Sequence, residues 1–187
     1  YRSYQMEGND WVFDQNGIRC LTCAEPDGED SNARRRSEYK KDTSPNYNIS
    51  GEAIIYDFQD FESVKISSLF LVTLEQGDEY KVEIKGRDAD DVRLSKIGDE
   101  LIIRHKDDWD IWDKKPRRDI QLSVYIQAPN ISELELSGGC EGRMSGFDSD
   151  ELEITLNGAS DLDASITSNR LDVYLSGASK LILEGNS

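Results

Sequence analysis

One short phrase recurs three times near the C-terminal end of the chain, and it constrains the fold more than any other feature. The sequence reads LSGGC at residues 136–140, LNGAS at 156–160 and LSGAS at 175–179. A step of about 20 residues is too short for a βαβ unit of about 30 or more residues, or for a propeller blade of about 40. The recurrence therefore predicts a repeated all-β unit that contains no helix.

Alignment of the three phrases places apolar residues in two columns, two positions apart and so on the same side of a strand. The columns are Leu134, Ile154 and Val173, and Leu136, Leu156 and Leu175. A glycine follows each time, at Gly138, Gly158 and Gly177, where the backbone can turn with a positive φ. Stacked in parallel at ~4.8 Å, such units would form a parallel β-helix, or solenoid. An antiparallel sandwich of repeated hairpins is the alternative architecture.

The rest of the chain divides by composition into three parts. Apolar and polar residues alternate in segments such as 80–85 and 122–126, as in half-buried strands, and we predict one β-helix domain over 48–187. Residues 1–23 form an N-terminal appendage, in which Asn16-Gly17 suits a hairpin turn. Residues 24–47 are polar and nearly devoid of aliphatic side chains, which predicts a linker or mobile loop.

Charge excludes two classes of partner. The formal net charge is −16, which repels nucleic-acid phosphates and anionic lipid headgroups. No apolar run approaches the ~20 residues that span a bilayer. Because the chain begins at Tyr1 rather than Met, we expect a processed protein or part of a longer one, with any membrane anchor before Tyr1.

The cysteines do not predict a metal site. Three cysteines and a single histidine, His105, make a structural zinc site improbable, and no metal or other cofactor is expected. Cys20 and Cys23 read CLTC, which suits a small disulfide loop in an exported protein and two idle thiols otherwise.

Catalytic chemistry finds little support in the sequence. His105 would have to serve as the base of any nucleophile–histidine pair, yet it lies in no recognisable motif. The abundant acids occupy outward positions of predicted strands, where solvation explains them. Glu133, Glu153 and Asp172 form an acidic column in the alignment of the phrases. A calcium ion could bind there but is not required, and no loop has an EF-hand pattern.

The most unusual short stretch is KDDWDIWDKKP, residues 106–116. Flat aromatic rings beside carboxylates suit stacking and hydrogen bonding to a sugar. The candidate glycan-binding residues are Trp109, Trp112, Asp108, Asp110 and Asp113. The alternative is a loop whose tryptophans cover the side or end of the β-structure.

The phrases also carry a family resemblance. Together with YDFQDFESVKISSLFLVTLEQGDEYKVEIKG and QLSVYIQAPNISELELSG, they resemble the bacterial family described as "putative auto-transporter adhesin, head GIN domain", over roughly residues 54–185. The resemblance implies a right-handed parallel β-helix in the envelope of Bacteroidetes-type bacteria. The family defines no catalytic residues to carry over.

These observations favour a non-enzymatic domain, periplasmic or on the cell surface, with an adhesion, ligand-binding or structural role and a glycan or envelope protein as partner. The alternative is a polysaccharide-active enzyme on a short β-helix, which would need an acid pair in a groove.

The last repeat, ending in LILEGNS, has no capping helix. We therefore expect the N-terminal appendage to cover this end, or two molecules to meet there, giving a monomer or a weak dimer.

Overall fold

The computed structural model describes residues 11–14, 17–20, 49, 51–106 and 122–186. Within these ranges the chain is all-β, apart from one short 3₁₀ helix, η1, at Ala89–Asp91. The strands are β1 (Trp11–Asp14), β2 (Gly17–Cys20), β3 (Ala53–Tyr56), β4 (Ser63–Ser68), β5 (Leu71–Gln76), β6 (Lys81–Gly86), β7 (Val92–Ile97), β8 (Glu100–His105), β9 (Leu122–Ala128), β10 (Glu133–Gly138), β11 (Glu141–Leu156), β12 (Asp161–Leu175) and β13 (Lys180–Asn186).

Parallel pairing organises the strands into two ladders. The front ladder contains β8, β4, β10 and the second halves of β11 and β12, in that order. The back ladder contains β9, β5, the first halves of β11 and β12, and then β13. Because β11 and β12 belong to both ladders, the sheet curls, and the inward side chains of the two ladders form one core.

The prediction of a right-handed parallel β-helix is wrong, and so is the description of the protein as a solenoid of repeats. The described strands form one curled, mixed sheet, a half-barrel. Nine of them are neighbours in the order β2-β1-β13-β12-β11-β10-β4-β8-β7, and β3, β5, β6 and β9 pair outside this order. Antiparallel strands flank the ladders: β7 pairs with β8, β6 with β9, β3 with β6, β1 with β13 and β2 with β1. The β7–β8 turn shows why, because only Gly98 and Asp99 separate these strands, and so short a turn joins antiparallel neighbours.

The strand alternation and the register of the phrases are confirmed. Segments 81–86 and 122–128 are strands with alternating burial. Leu134 pairs with Ile154, which pairs with Val173, and Leu136, Leu156 and Leu175 pair in the same way. Leu136 and Leu156 are fully buried, whereas Leu175 is half-buried. The phrases therefore encode parallel register locally, although the whole chain is not a solenoid.

Each phrase forms a tight corner that packs on the next one. Gly138, Gly158 and Gly177 have φ values of 93°, 77° and 73°. A Cβ atom on Gly158 would lie 2.6 Å from the carbonyl oxygen of Gly138. The N–H of Ala159 donates to that oxygen at 2.8 Å, and the N–H of Ala178 donates to the Gly158 oxygen at 2.7 Å. We call this stack the corner ladder.

The last residue of each phrase closes its own corner. Ser160 and Ser179 are buried, and their hydroxyls donate to the carbonyl oxygens of Asn157 and Ser176 at 3.0 and 2.9 Å. Cys140 is equally buried, and its Sγ lies 3.5 Å from the carbonyl oxygen of Ser137. A small donor at this position thus bonds to the backbone three residues before it and closes the corner.

The N-terminal strands lie against the last strand of the sheet. β1 pairs antiparallel with β13, and β2 pairs with β1 from Trp11–Cys20 to Asp14–Gly17. The prediction that the N-terminal appendage covers the end of the last repeat is confirmed for Leu181–Leu183 in β13, whereas the second half of β12 has no described partner on that side. The division of the chain into appendage, linker and β domain stays a prediction, and residues 24–47 lie outside the described residues.

The described part of the chain contains no helix of the length and hydrophobicity that crossing a bilayer requires.

Candidate functional site

The acidic column predicted from the phrases is present on the outward side of the front ladder. Glu133 pairs with Glu153, and Glu153 pairs with Asp172. Two further strands extend the row, because Glu133 also pairs with Ser63, and Ser63 pairs with Glu100 on β8. Four carboxylates and one hydroxyl thus cross five strands in a single line. In the described ranges, no group of three or more His, Cys, Asp or Glu residues is arranged to hold a metal ion.

Lys65 is the cation at the centre of this surface. Its Nζ lies 2.7 Å from Glu100 Oε1, 3.7 Å from Glu135 Oε2 and 3.9 Å from Glu133 Oε1. The hydrogen bond to Glu100 is the main cause that raises the pKa of Lys65, and the three carboxylate charges add to it against a smaller opposing effect of burial. Lys65 therefore holds acids from two neighbouring strands in fixed positions.

Hydrogen bonds continue the network across the ladder. The amide of Asn157 donates to Glu135 Oε1 at 3.3 Å, and the hydroxyl of Ser176 donates to Asn157 Oδ1 at 2.7 Å. At the other side, the hydroxyl of Ser63 donates to Glu133 Oε2 at 3.0 Å. Asn157 and Ser176 are the second residues of their phrases, so the repeated corners also supply the polar links of this surface.

We call this surface the outer polar face. Its charged and amide side chains are Lys65, Glu100, Arg104, Glu133, Glu135, Glu153, Asn157 and Asp172. Arg170 borders it, with its guanidinium 2.8 Å from Asp172 Oδ2 and 3.7 Å from Glu151 Oε1. Five carboxylates exceed the three cations Lys65, Arg104 and Arg170, so the surface is negative overall, and ion pairs orient several of its groups. Such a surface can bind cationic or hydroxyl-bearing groups without reorganising.

Two other side chains that could be reactive, Cys140 and His105, pack against neighbouring groups of the protein. Cys140 is fully buried, and burial raises the pKa of its thiol to about 11 against smaller opposing effects of hydrogen bonds to the backbone. The thiol is therefore protonated at neutral pH and a poor nucleophile. The ring of His105 stacks on Phe70, with 5.1 Å between centroids and 13° between planes.

The structure leaves the other predicted sites untested. Trp109, Trp112, Asp108, Asp110 and Asp113 all lie outside the described residues, as does Cys23. The backbone of Cys20, in β2, pairs with that of Trp11, in β1. The structure does not describe the side chain of Cys20. The glycan site and the disulfide loop therefore stay predictions.

Sequence reasoning missed a fourth copy of the corner. Residues 66–70, ISSLF, pair with the first phrase so that Ile66 matches Leu136 and Ser68 matches Gly138. The N–H of Gly139 donates to the carbonyl oxygen of Ser68 at 2.9 Å, which continues the corner ladder. Ser68 has a φ of 119°, and its buried hydroxyl has no hydrogen-bond partner in the described structure. This copy was missed because it has no glycine. A usable signal was its start, Ile-Ser, which is similar to the Leu-Ser that begins two of the three phrases.

Comparison with known proteins identifies the family. Residues 60–187 match the family described as "putative auto-transporter adhesin, head GIN domain". The chain belongs to this family. The match covers more than two-thirds of the chain and confirms the resemblance noted in the phrases. No curated protein matches the chain.

Several solved bacterial structures share the fold. A "putative adhesin" from Bacteroides fragilis aligns with a TM-score of 0.60 and 17% identity, over 70% of this chain and 62% of that one. One from Parabacteroides distasonis gives 0.58 and 17%, over 71% and 56%, and one from Parabacteroides merdae gives 0.54 and 17%, over 70% and 54%. The chain thus spans roughly three-fifths or less of each of these proteins, and at this identity the likeness concerns the fold.

Proposed function

We propose that the chain is a non-enzymatic binding domain of the bacterial cell envelope, in the periplasm or on the cell surface, and that its outer polar face contacts a basic region of an envelope protein. The family description and the names of the structural neighbours support an adhesive role outside the cytoplasm. The observation that carries the proposal is the row of carboxylates across five strands, in which Lys65 contacts Glu100 and Glu133, and Arg170 contacts Asp172.

The placement of these acids favours binding over hydrolysis. A glycosidase needs two carboxyl groups on opposite sides of a substrate groove. Here the acids lie side by side on the outward side of a sheet, opposite the buried residues Leu134 and Ile154 of the same strands. A sheet surface of this kind presents many charges to a large partner at once. Several weak contacts can then add up to useful affinity, which suits adhesion.

Binding of a cationic probe would test this proposal. The probe is fluorescently labelled oligolysine, and the test variant is Glu133→Gln/Glu153→Gln/Asp172→Asn, which removes three charges from the outer polar face. The control variant, Glu141→Gln/Asp148→Asn/Asp163→Asn, removes three charges elsewhere on β11 and β12. If each charge on the face contributes ~0.5 kcal/mol, the test variant should bind about tenfold more weakly.

The control variant should lose about twofold or less, since it changes only the overall charge. Equal losses in the two variants would contradict a specific role for the face. Release of reducing sugars from envelope polysaccharides by the purified wild-type chain would contradict the non-enzymatic assignment.

A further inference from the structure

The edge strand β3 differs in charge from the other edges of the sheet. In the described part of the chain, four strands or half-strands have a partner on one side only: β2, β3, β7 and the second half of β12. Three of them carry charged residues, namely Arg19 in β2, Arg93 and Lys96 in β7, and Arg170 and Asp172 in β12. Such charges oppose unwanted pairing at an edge. β3 reads AIIY and carries none.

The side chains of β3 are also unusually accessible. Ile55 is 68% exposed, the largest value among the exposed large hydrophobic residues of the described structure. It lies opposite Glu83 of β6, on the outward side of the sheet. Ile54 and Tyr56 point the other way and are only half-buried against the core. A strand added beside β3 would therefore cover apolar surface on both sides of the sheet.

Acidic residues bracket this apolar edge. Glu52 and Asp57 stand directly before and after the strand. Asp90 of η1 is close enough to Tyr56 that its charge adds to the effect of burial, and together they raise the pKa of the Tyr56 hydroxyl. Glu83 is paired with Lys81 at 3.0 Å, and Lys85 faces Ala53. Apart from Lys85, the charges at the two ends of the edge are negative, and the strand itself is uncharged.

We propose that β3 is a docking edge for an extended segment of another protein, in which about four uncharged, β-forming residues are bracketed by lysine or arginine. The open backbone N–H and C=O groups of β3 would pair with the segment and extend the sheet. The uncharged residues would cover Ile55 on one side and Ile54 and Tyr56 on the other. The basic ends would meet Glu52 and Asp57. This edge belongs to a different part of the sheet from the outer polar face, and the proposal does not depend on the function proposed there.

A second copy of the chain fits the edge less well. In an antiparallel pair of two β3 strands, the acids at each end of one strand would lie beside those of the other. Each copy also carries a net charge of −16, and a strand of four residues provides little area to offset the repulsion. A basic partner segment removes both difficulties.

The test uses the full chain and a labelled peptide probe of four alternating valines and threonines with two lysines at each end. Fluorescence anisotropy gives its affinity for three proteins: the wild type, Ile55→Lys and Ile97→Lys. Ile97 is a matched control because it lies on the edge strand β7 and is 66% exposed. Ile55→Lys should weaken binding about tenfold or more, and Ile97→Lys should change it by about twofold or less.

Two further measurements keep the test independent of folding effects in the variants. N-methylation of alternate peptide bonds in the probe should abolish binding to the wild type, because the probe then loses its ladder hydrogen bonds. Hydrogen exchange of the wild type should show new protection at those amides of residues 53–56 that do not already pair with β6. Absence of wild-type binding, equal losses in the two variants, unimpaired binding of the methylated probe, protection at other strands, or dimerisation through β3 would each overturn the proposal.

Discussion

Gly158 and Gly98 both have a positive φ in two different parts of the sheet, and the contrast between their surroundings explains how these parts are built. Gly158 has a φ of 77° in the corner ladder, where the Gly138 carbonyl would lie 2.6 Å from an added Cβ. Gly98 has a φ of 65° in the β7–β8 turn, where nothing lies within 4 Å of such an atom. The turn at Gly98 requires only a positive φ. The corner at Gly158 also requires that no side chain occupy the space beside the Gly138 carbonyl.

This difference matches the direction of the strands. A two-residue turn reverses the chain and gives the antiparallel β7–β8 pair. A corner lets the chain pass from the front ladder to the back ladder, so that successive segments return in the same direction and stack in parallel. Close contact between stacked corners fixes the register of β10, β11 and β12. That register in turn aligns the carboxylates of the outer polar face.

The largest effect is expected when a side chain is added at the two glycines. Gly158→Ala combines an unfavourable φ with a backbone clash and should lower the free energy of unfolding by about 3 kcal/mol. Gly98→Ala should cost only about 1 kcal/mol, because it meets the dihedral penalty alone. Urea unfolding monitored by circular dichroism measures both values. Similar losses in the two variants would show that the corners are not in contact.

A smaller effect of opposite sign is expected at the fourth corner. Ser68→Gly removes a Cβ atom from a backbone with a φ of 119° and removes a buried hydroxyl that lacks a partner in the described structure. Relief of the strained φ and loss of the unpaired hydroxyl both stabilise the folded state, whereas glycine increases the conformational entropy of the unfolded chain. Because the first two effects are larger, the variant should be about 1 kcal/mol more stable. Thermal unfolding should show a raised Tm. A lowered Tm would mean that Ser68 is not a strained member of the corner ladder.

The smallest effect at neutral pH is expected at Cys140, which occupies the position of Ser160 and Ser179. Cys140→Ser should change the free energy of unfolding by only about 0.5 kcal/mol, since serine already fits the equivalent corners. A difference should appear at alkaline pH. Burial raises the pKa of the thiol from 9.0 to about 11.

The stabilisation from the protonated thiol is therefore complete below pH 9.0 and is lost as the pH rises towards 11. Wild type should lose stability over this range relative to Cys140→Ser, because the thiol ionises more readily in the unfolded chain. Unfolding curves of both proteins at pH 7 and at several alkaline values would measure the divergence. Parallel pH profiles would contradict the burial of an uncharged thiol.

The sequence predicted local structure better than architecture. Alternation at residues such as Val82 and Ile84 identified strands, and the aligned phrases identified parallel partners such as Leu136 and Leu156. The step to a solenoid was wrong because the phrases cover only the C-terminal part of the chain. Upstream, the short turn at Gly98 and the pairing of β6 with β9 impose antiparallel order. Recurrence in one region says little about strand direction in another.

The outer polar face was predicted only in part. The alignment brought Glu133, Glu153 and Asp172 together because they occupy equivalent positions of successive segments. It could not place Lys65, which reaches Glu133 from β4, far away in the sequence. Nor could it identify the corner at Ser68, where serine stands in the position of a glycine. Contacts between distant strands depend on the sheet order, which the local pattern does not contain.

One continuous corner ladder, beginning at Ser68, fixes the register of the strands that carry the outer polar face. Scalar couplings through backbone hydrogen bonds, measured by nuclear magnetic resonance, test this directly. Couplings are expected from the amide of Gly139 to the carbonyl of Ser68, from Ala159 to Gly138, and from Ala178 to Gly158. Absence of the Gly139–Ser68 coupling, or couplings that pair β10 with β11 in antiparallel order, would contradict it.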